Sequence, residues 1–195
     1  VIYEASTLSK YKITGYLDKE LKEFNPFNLS YHGDDSCSNI NMLKSKYQFI
    51  VSIGDNKIRR RIFEALVSNK VNLINVIDQS VIISESLNIG RGNFISKNVS
   101  INSQVSIGDG CIINTGAIIE HEVVIKNYTH IAPGAILCGN VTIGLESLIG
   151  AGSIVKPNTR IGDNVIVGAG STVLNNIMDN EIWAGNPARF IRNNE

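Results

Sequence analysis

From Ile77 onward, an aliphatic residue recurs at every sixth position. Steps of six land on Ile83, Ile89, Ile95, Ile101, Ile107, Ile113, Ile119, Ile125, Ile131, Leu137, Ile143, Ile149, Val155, Ile161, Val167 and Val173, 17 positions in all and no insertion. The residue four later is mostly small or apolar too, as at Val81, Val99, Ala117, Val141 and Ser171. A period of six fits neither the α-helix nor the heptad. It fits short strands joined by corners, each strand sending one β-branched side chain inward. Three strands close a triangular coil, so the repeat stacks nearly six coils into a solenoid that buries each coil against its neighbours. Glycine often follows the aliphatic residue, as in Ile107-Gly108, Ile143-Gly144, Ile149-Gly150 and Ile161-Gly162. That placement suggests a corner backbone shape that a Cβ would resist.

Composition divides the chain at the same place. Residues 1–75 hold three of the 17 glycines, and 11 of the 18 Lys and Arg against eight acids. Residues 76–195 hold the other 14 glycines, with seven basic and ten acidic residues. The two parts cancel to a net charge of zero, which gives no reason to expect a nucleic-acid or membrane-surface partner. No apolar run reaches the roughly 18 residues that span a bilayer. Three cysteines (Cys37, Cys111, Cys138) without metal-ligand spacing suggest a cytoplasmic protein in a reducing compartment.

The front part reads as half of a nucleotide-binding fold. Residues 11–18 form a strand ending in Asp18, and residues 47–54 a nearly continuous apolar strand. Residues 56–69 have helical spacing, with Ile58, Ile62 and Leu66 on one stripe and Arg59, Arg60 and Arg61 as a solvated flank. Residues 71–76 give a third strand. This is a small α/β, Rossmann-like sheet. Asp18 at a strand end and Gly54-Asp55-Asn56 before a helix lie where such sheets bind nucleotides; a solvated turn carboxylate is the other reading of Asp18. The unit is N-terminally incomplete. Val1-Ile2-Tyr3-Glu4-Ala5 looks like the middle of a helix, and no opening strand or glycine-rich turn precedes it, as in a truncated or internally numbered chain.

The repeat resembles the hexapeptide-repeat acyltransferases, which fold as left-handed parallel β-helices and work as trimers. With the α/β unit in front, the chain more narrowly resembles certain sugar acetyltransferases. These include the bacterial sialic-acid O-acetyltransferases and the N-acetyltransferases of UDP-linked 4-amino sugars in bacillosamine synthesis. The most specific stretch is Asn114-Thr115-Gly116-Ala117-Ile118-Ile119-Glu120-His121-Glu122, followed by His130-Ile131-Ala132-Pro133-Gly134-Ala135 and Gly139-Asn140-Val141. The resemblance implies a homotrimer that draws on acetyl-CoA in glycan biosynthesis. It assigns residues 1–75 to nucleotide-sugar binding, 76–178 to the β-helix and 179–195 to a closing loop and tail. A sialic-acid O-acetyltransferase and a non-catalytic assembly partner are the alternatives.

Acetyl transfer to an amine needs a base, donors for the developing oxyanion and a groove for the thioester. His121 sits on a corner two residues past the inward Ile119, flanked by Glu120 and Glu122. A carboxylate bonded to one ring nitrogen fixes the tautomer and raises the basicity of the other. The resemblance makes His121 the general base and Glu122 its tuning acid. His130 lies one and a half hexads further and cannot stack on His121, so a site shared between subunits is expected; the resemblance implies that His130 lies near the acetyl carbonyl or thioester. Asn114 and Glu120 are expected on the acceptor side. The resemblance also places coenzyme A beside Gly139, Gly150, Ala151 and Ala169. The loop Trp183-Ala184-Gly185-Asn186-Pro187-Ala188-Arg189 closes over the cofactor or caps the solenoid, and Arg189 and Lys156 are candidate phosphate partners. His32, in a polar loop, reads as solvated and lies outside the repeat. Two repeat histidines are fewer than the three ligands of a catalytic zinc, so no metal is expected.

Overall fold

The computed structural model describes residues 11–195; the opening segment read above as the middle of a helix lies outside them. The rear of the chain is a left-handed parallel β-helix. Its two-residue strands recur every six residues from β3 (Val76–Ile77) to β19 (Thr172–Val173). Each strand pairs in parallel with the one a full coil away, as Ile118 with Ile136 and Ile119 with Leu137. The result is a three-sided prism. Its first face runs through β12 (His130–Ile131), its second through β10 (Ile118–Ile119) and its third through β11 (Val124–Ile125). The inward column is sealed: Ile95, Ile113, Ile119, Ile131, Leu137, Ile143 and Ile149 expose nothing. Each such side chain contributes about 1.5–3 kcal/mol of burial.

Corner geometry is as periodic as the core. A left-handed backbone recurs every six residues from Gly92 to Gly170, and ten of these 14 positions are Gly or Asn, which tolerate it best. Gln104, Glu122, Tyr128 and Glu146 fill the rest. The glycines that follow the aliphatic residues have a different reason from the one their placement suggested. Gly108, Gly144, Gly150 and Gly162 are not left-handed; a Cβ on Gly144 would strike the backbone of Gly162 in the next coil. They are clearance positions.

The front part is less regular than its sequence suggests. Residues 11–18 yield only β1 (Gly15–Tyr16), parallel to an unanticipated β2 (Ser30–Tyr31). The expected strands at 47–54 and 71–76 meet at a single parallel bridge between Phe49 and Leu73. Their apolar character is spent on packing instead: Val51, Val71 and Leu73 are buried with Phe63 and Leu66. A short helix, α1 (Cys37–Leu43), was also not anticipated. The expected helix is α2 (Asn56–Ser68), capped by Asp55, whose side chain accepts from the Ile58 amide. Its buried face is Arg59, Phe63 and Leu66, whereas Ile58 faces outward. This face presses on the corner between the third and first faces, with the Phe63 ring edge-on to Tyr128 at 5.3 Å. At the far end, β20 (Glu181–Gly185) and β21 (Ala188–Asn193) form an antiparallel hairpin where a loop was expected. No helix among the described residues is long and apolar enough to cross a membrane.

Candidate active site

The corner between the second and third faces carries His121 and Glu122. Both side chains are more than half exposed, and His121 Nδ1 lies 3.0 Å from Glu122 Oε2. A carboxylate there holds the proton on Nδ1 and leaves the Nε2 lone pair free. Glu122 adopts the left-handed conformation, φ 61°, where most corners use Gly or Asn. That backbone costs on the order of 1–2 kcal/mol for a residue with a Cβ. Gly139, one coil along, is where the ring rests: an added Cβ would meet Cε1 and Nε2 of His121 at 2.5 Å. Gly139 is thus a seat for the imidazole. Glu120 is tied to the coil above, its carboxylate accepting from Asn102 Nδ2 at 2.8 Å. Burial, and then the charge of Glu120, push the Cys138 thiol up, so it stays protonated.

The corner between the first and second faces holds Asn114 and a run of small residues. Asn114 Oδ1 accepts from the Thr115 amide at 2.8 Å, so its Nδ2 is the group that meets His130 Nε2 at 3.3 Å. This arrangement selects the neutral ring with its proton on Nδ1. Burial, and then the nearby charge of Arg59, lower the His130 pKa to about 4. Below this pair the same corner continues through buried Gly150, exposed Ala151 and exposed Ala169. Gly150 packs against the Gly168-Ala169 backbone, where a Cβ has no room. Pro187 and Arg189 are exposed in the terminal hairpin, and Lys156 is exposed two coils along the column of Glu120.

The remaining corner is covered by the front domain. Arg59, expected on a solvated flank, is 1% exposed. Its Nε donates to Gly110 O (2.8 Å), Nη1 to Ile53 O (3.1 Å) and Gly54 O (2.9 Å), and Nη2 to Tyr128 O (2.7 Å) and Asn56 Oδ1 (2.6 Å). Asn56 Nδ2 in turn donates to Glu146 O and Ser147 O at 2.9 and 3.1 Å. Arg60 reaches Glu146 Oε2 at 3.2 Å. Asp55 caps α2 and Asn56 clasps the β-helix, so both side chains of this turn are engaged within the chain, while Gly54 faces open space. Asp18 follows β1 and pairs with Lys22 at 3.2 Å. His32 is packed rather than solvated: its ring covers Gly15, lies 5.5 Å from Tyr47, and its Nε2 is buried. Tyr128 and Glu146 went unnoticed in the sequence. Their signal was a bulky residue at a position that ten of the 14 corners fill with Gly or Asn.

His121 therefore sits on one corner, and His130, on the first face, belongs with Asn114 at another; no bond joins the two histidines. Among the described residues, no three His, Cys, Asp or Glu side chains converge on a possible metal position. A solenoid with a carboxylate-tethered imidazole at one corner and a small-residue lane at the next is what the resemblance to the hexapeptide-repeat acyltransferases led one to expect. Comparisons with known proteins narrow the class. The PglD N-terminal domain model matches residues 1–66, and the bacterial transferase hexapeptide (six repeats) model matches residues 146–175. A mutant perosamine N-acetyltransferase from Caulobacter crescentus, in complex with CoA and GDP-perosamine, superposes with a TM-score of 0.93. It is 29% identical over 99% of this chain and 91% of its own. The acetyltransferase domain of PglB from Neisseria gonorrhoeae, in complex with acetyl coenzyme A, gives 0.91 at 30% identity, over 98% of this chain and 93% of its own. WeeI from Acinetobacter baumannii gives 0.83 at 21% identity, over 97% of this chain and 92% of its own, a likeness of fold alone. No curated protein matches the sequence. The chain belongs to the hexapeptide-repeat sugar acetyltransferases of the PglD type, enzymes whose acyl donor is acetyl-CoA.

Proposed function

We propose that this protein transfers the acetyl group of acetyl-CoA to the amino group of a nucleotide-linked 4-amino sugar. The observation that carries the reading is the His121–Glu122 pair: an exposed imidazole with Nδ1 tethered at 3.0 Å and its Nε2 edge seated on Gly139. Nε2 takes a proton from the attacking amine as nitrogen bonds to the thioester carbon. The tetrahedral intermediate then collapses, the C–S bond breaks, and coenzyme A leaves as the thiol, taking its proton from the imidazolium. Glu122 stabilises the imidazolium formed on the way. The Asn114 amide and the neutral His130 ring are the polar groups nearest the small-residue lane, where they face the acetyl carbonyl or thioester. The pantetheine arm lies along Gly150, Ala151 and Ala169, with Gly139, Pro187 and Arg189 as further contacts and Lys156 as a phosphate partner.

Because His121 and the Asn114–His130 pair lie at different corners, the site is completed between subunits of a homotrimer. The outward column of the second face, between those two corners, is apolar at Ile82, Ile118, Ile136 and Ile154, with Ser100 between the first two, and supplies an interface. The front domain holds the nucleotide near Asp18 and Gly54, and Glu120 lies on the acceptor side. Support for an amino acceptor comes from the Caulobacter relative, which is an N-acetyltransferase by name. Thiol release from acetyl-CoA tests the reading, with GDP- and UDP-linked 4-amino sugars compared against free and CMP-linked sialic acid. Release with the amino sugars is expected; release only with sialic acid overturns the N-acetyl reading, and release with neither overturns the enzymatic one. Mixing His121→Ala with His130→Ala subunits should restore activity above either homotrimer.

A further inference from the structure

Burying a guanidinium is costly, and a buried one without a carboxylate partner needs every donor satisfied. Arg59 meets that condition: its five N–H donors have five acceptors, at 2.6 to 3.1 Å. None of the five is a carboxylate. Two acceptors are carbonyls of the turn that precedes α2, two are carbonyls of successive β-helix coils, and the fifth is Asn56 Oδ1. A packing residue at this junction has no need of charge; an apolar side chain would cover Tyr128 and Gly110 as Phe63 does. The fork instead measures a fixed spacing between two rigid parts. Tyr128 O, one of its anchors, is two residues from His130.

We propose that Arg59 is a positioning residue for the transfer reaction, fixing the 53–56 turn against the Gly110 and Tyr128 carbonyls. It thereby sets where the front domain presents its sugar relative to the Asn114–His130 pair. The inference rests on the acetyl-transfer reading above. Asn56 is the second clasp of the same device, bonding Arg59 through Oδ1 and the Glu146 and Ser147 carbonyls through Nδ2. The Arg59 charge also bears on His130, helping to hold that ring neutral.

The test measures Arg59→Lys and Arg59→Gln beside the wild-type enzyme, with steady-state kinetics for both substrates and NMR titration of the His130 ring. Lysine keeps the charge but cannot span five acceptors. Both variants should lose at least about tenfold in kcat/KM for the sugar nucleotide while KM for acetyl-CoA changes less than about twofold. Only Arg59→Gln should raise the His130 titration midpoint. Should either variant fail to fold, Asn56→Ser cuts the second clasp while leaving the guanidinium in place, with the same kinetic split expected. Unchanged sugar-nucleotide kinetics, or equal losses for both substrates, overturn the proposal. A wild-type enzyme inactive on every sugar nucleotide overturns the underlying reaction instead, so the two failures are distinguishable.

Discussion

The β-helix and the front domain solve the problem of stability in opposite ways. In the β-helix each residue's partners lie one coil away, so the same contact repeats and no single rung is decisive. Side chains even stitch coils at constant spacing, as where Asn140 Nδ2 donates to Asn158 Oδ1 at 2.8 Å. The front domain has few paired strands, and its hold on the β-helix depends on individuals: Arg59, Asn56, Phe63 and the Arg60–Glu146 ion pair. Repetition suits a scaffold whose corners differ from one another, because a corner can change while its neighbours keep the coil. Singular contacts suit a junction whose geometry must have one value.

The sharpest test of the corner is His121→Ala. Activity should fall about 10²–10⁴-fold in kcat with the melting temperature unchanged, because the ring leaves an exposed corner. A large thermal shift would show that corner chemistry and scaffold are not separable.

Two core substitutions probe the contrast in stability. Phe63→Ala should cost about 3–5 kcal/mol and Leu137→Ala about 2–5 kcal/mol. Hydrogen exchange should show Phe63→Ala loosening α2 while the β-helix amides stay protected, and Leu137→Ala lowering protection in coils on both sides. Equal loss of β-helix protection in the two variants would break the distinction.

A smaller effect is expected from pH. Folded His130 titrates at about 4, below the ordinary histidine value of 6.5, so the unfolded chain binds the extra proton between them. Stability present above pH 6.5 is therefore lost as pH falls towards 4, by roughly 3 kcal/mol. His130→Gln should flatten that slope in urea titrations at pH 4.5 and 7.

The mildest change is Gly139→Ala, which puts a methyl group where the His121 ring rests. A drop of about tenfold in kcat is expected without unfolding, since a small displacement of the proposed base is enough. Unaltered kcat would show that the ring works away from this seat.

Much of this architecture can be read along the chain. The hexad alone implies a three-sided solenoid, since a residue's partners are always 18 positions away and the pattern states its own neighbours. The Glu-His-Glu run at one corner was legible too, because His121 and Glu122 are adjacent in sequence. The Arg-Arg-Arg run misled, since three cations beside a helical stripe look solvated. Arg59 is buried because Gly110 O and Tyr128 O, 51 and 69 residues away, are waiting for it. The same holds for the apolar segment 47–54, which buries side chains without building the expected sheet.

The amino-acid sequence by itself thus determined the coil, its inward column and the composition of its corners, because short-period contacts are encoded locally. Tertiary structure decided which corner the front domain covers, which histidine is neutral and half-buried and which stays exposed, and which arginine bridges the two parts. Those outcomes depend on desolvation and on carbonyls brought together from distant segments, and neither is written in any local pattern.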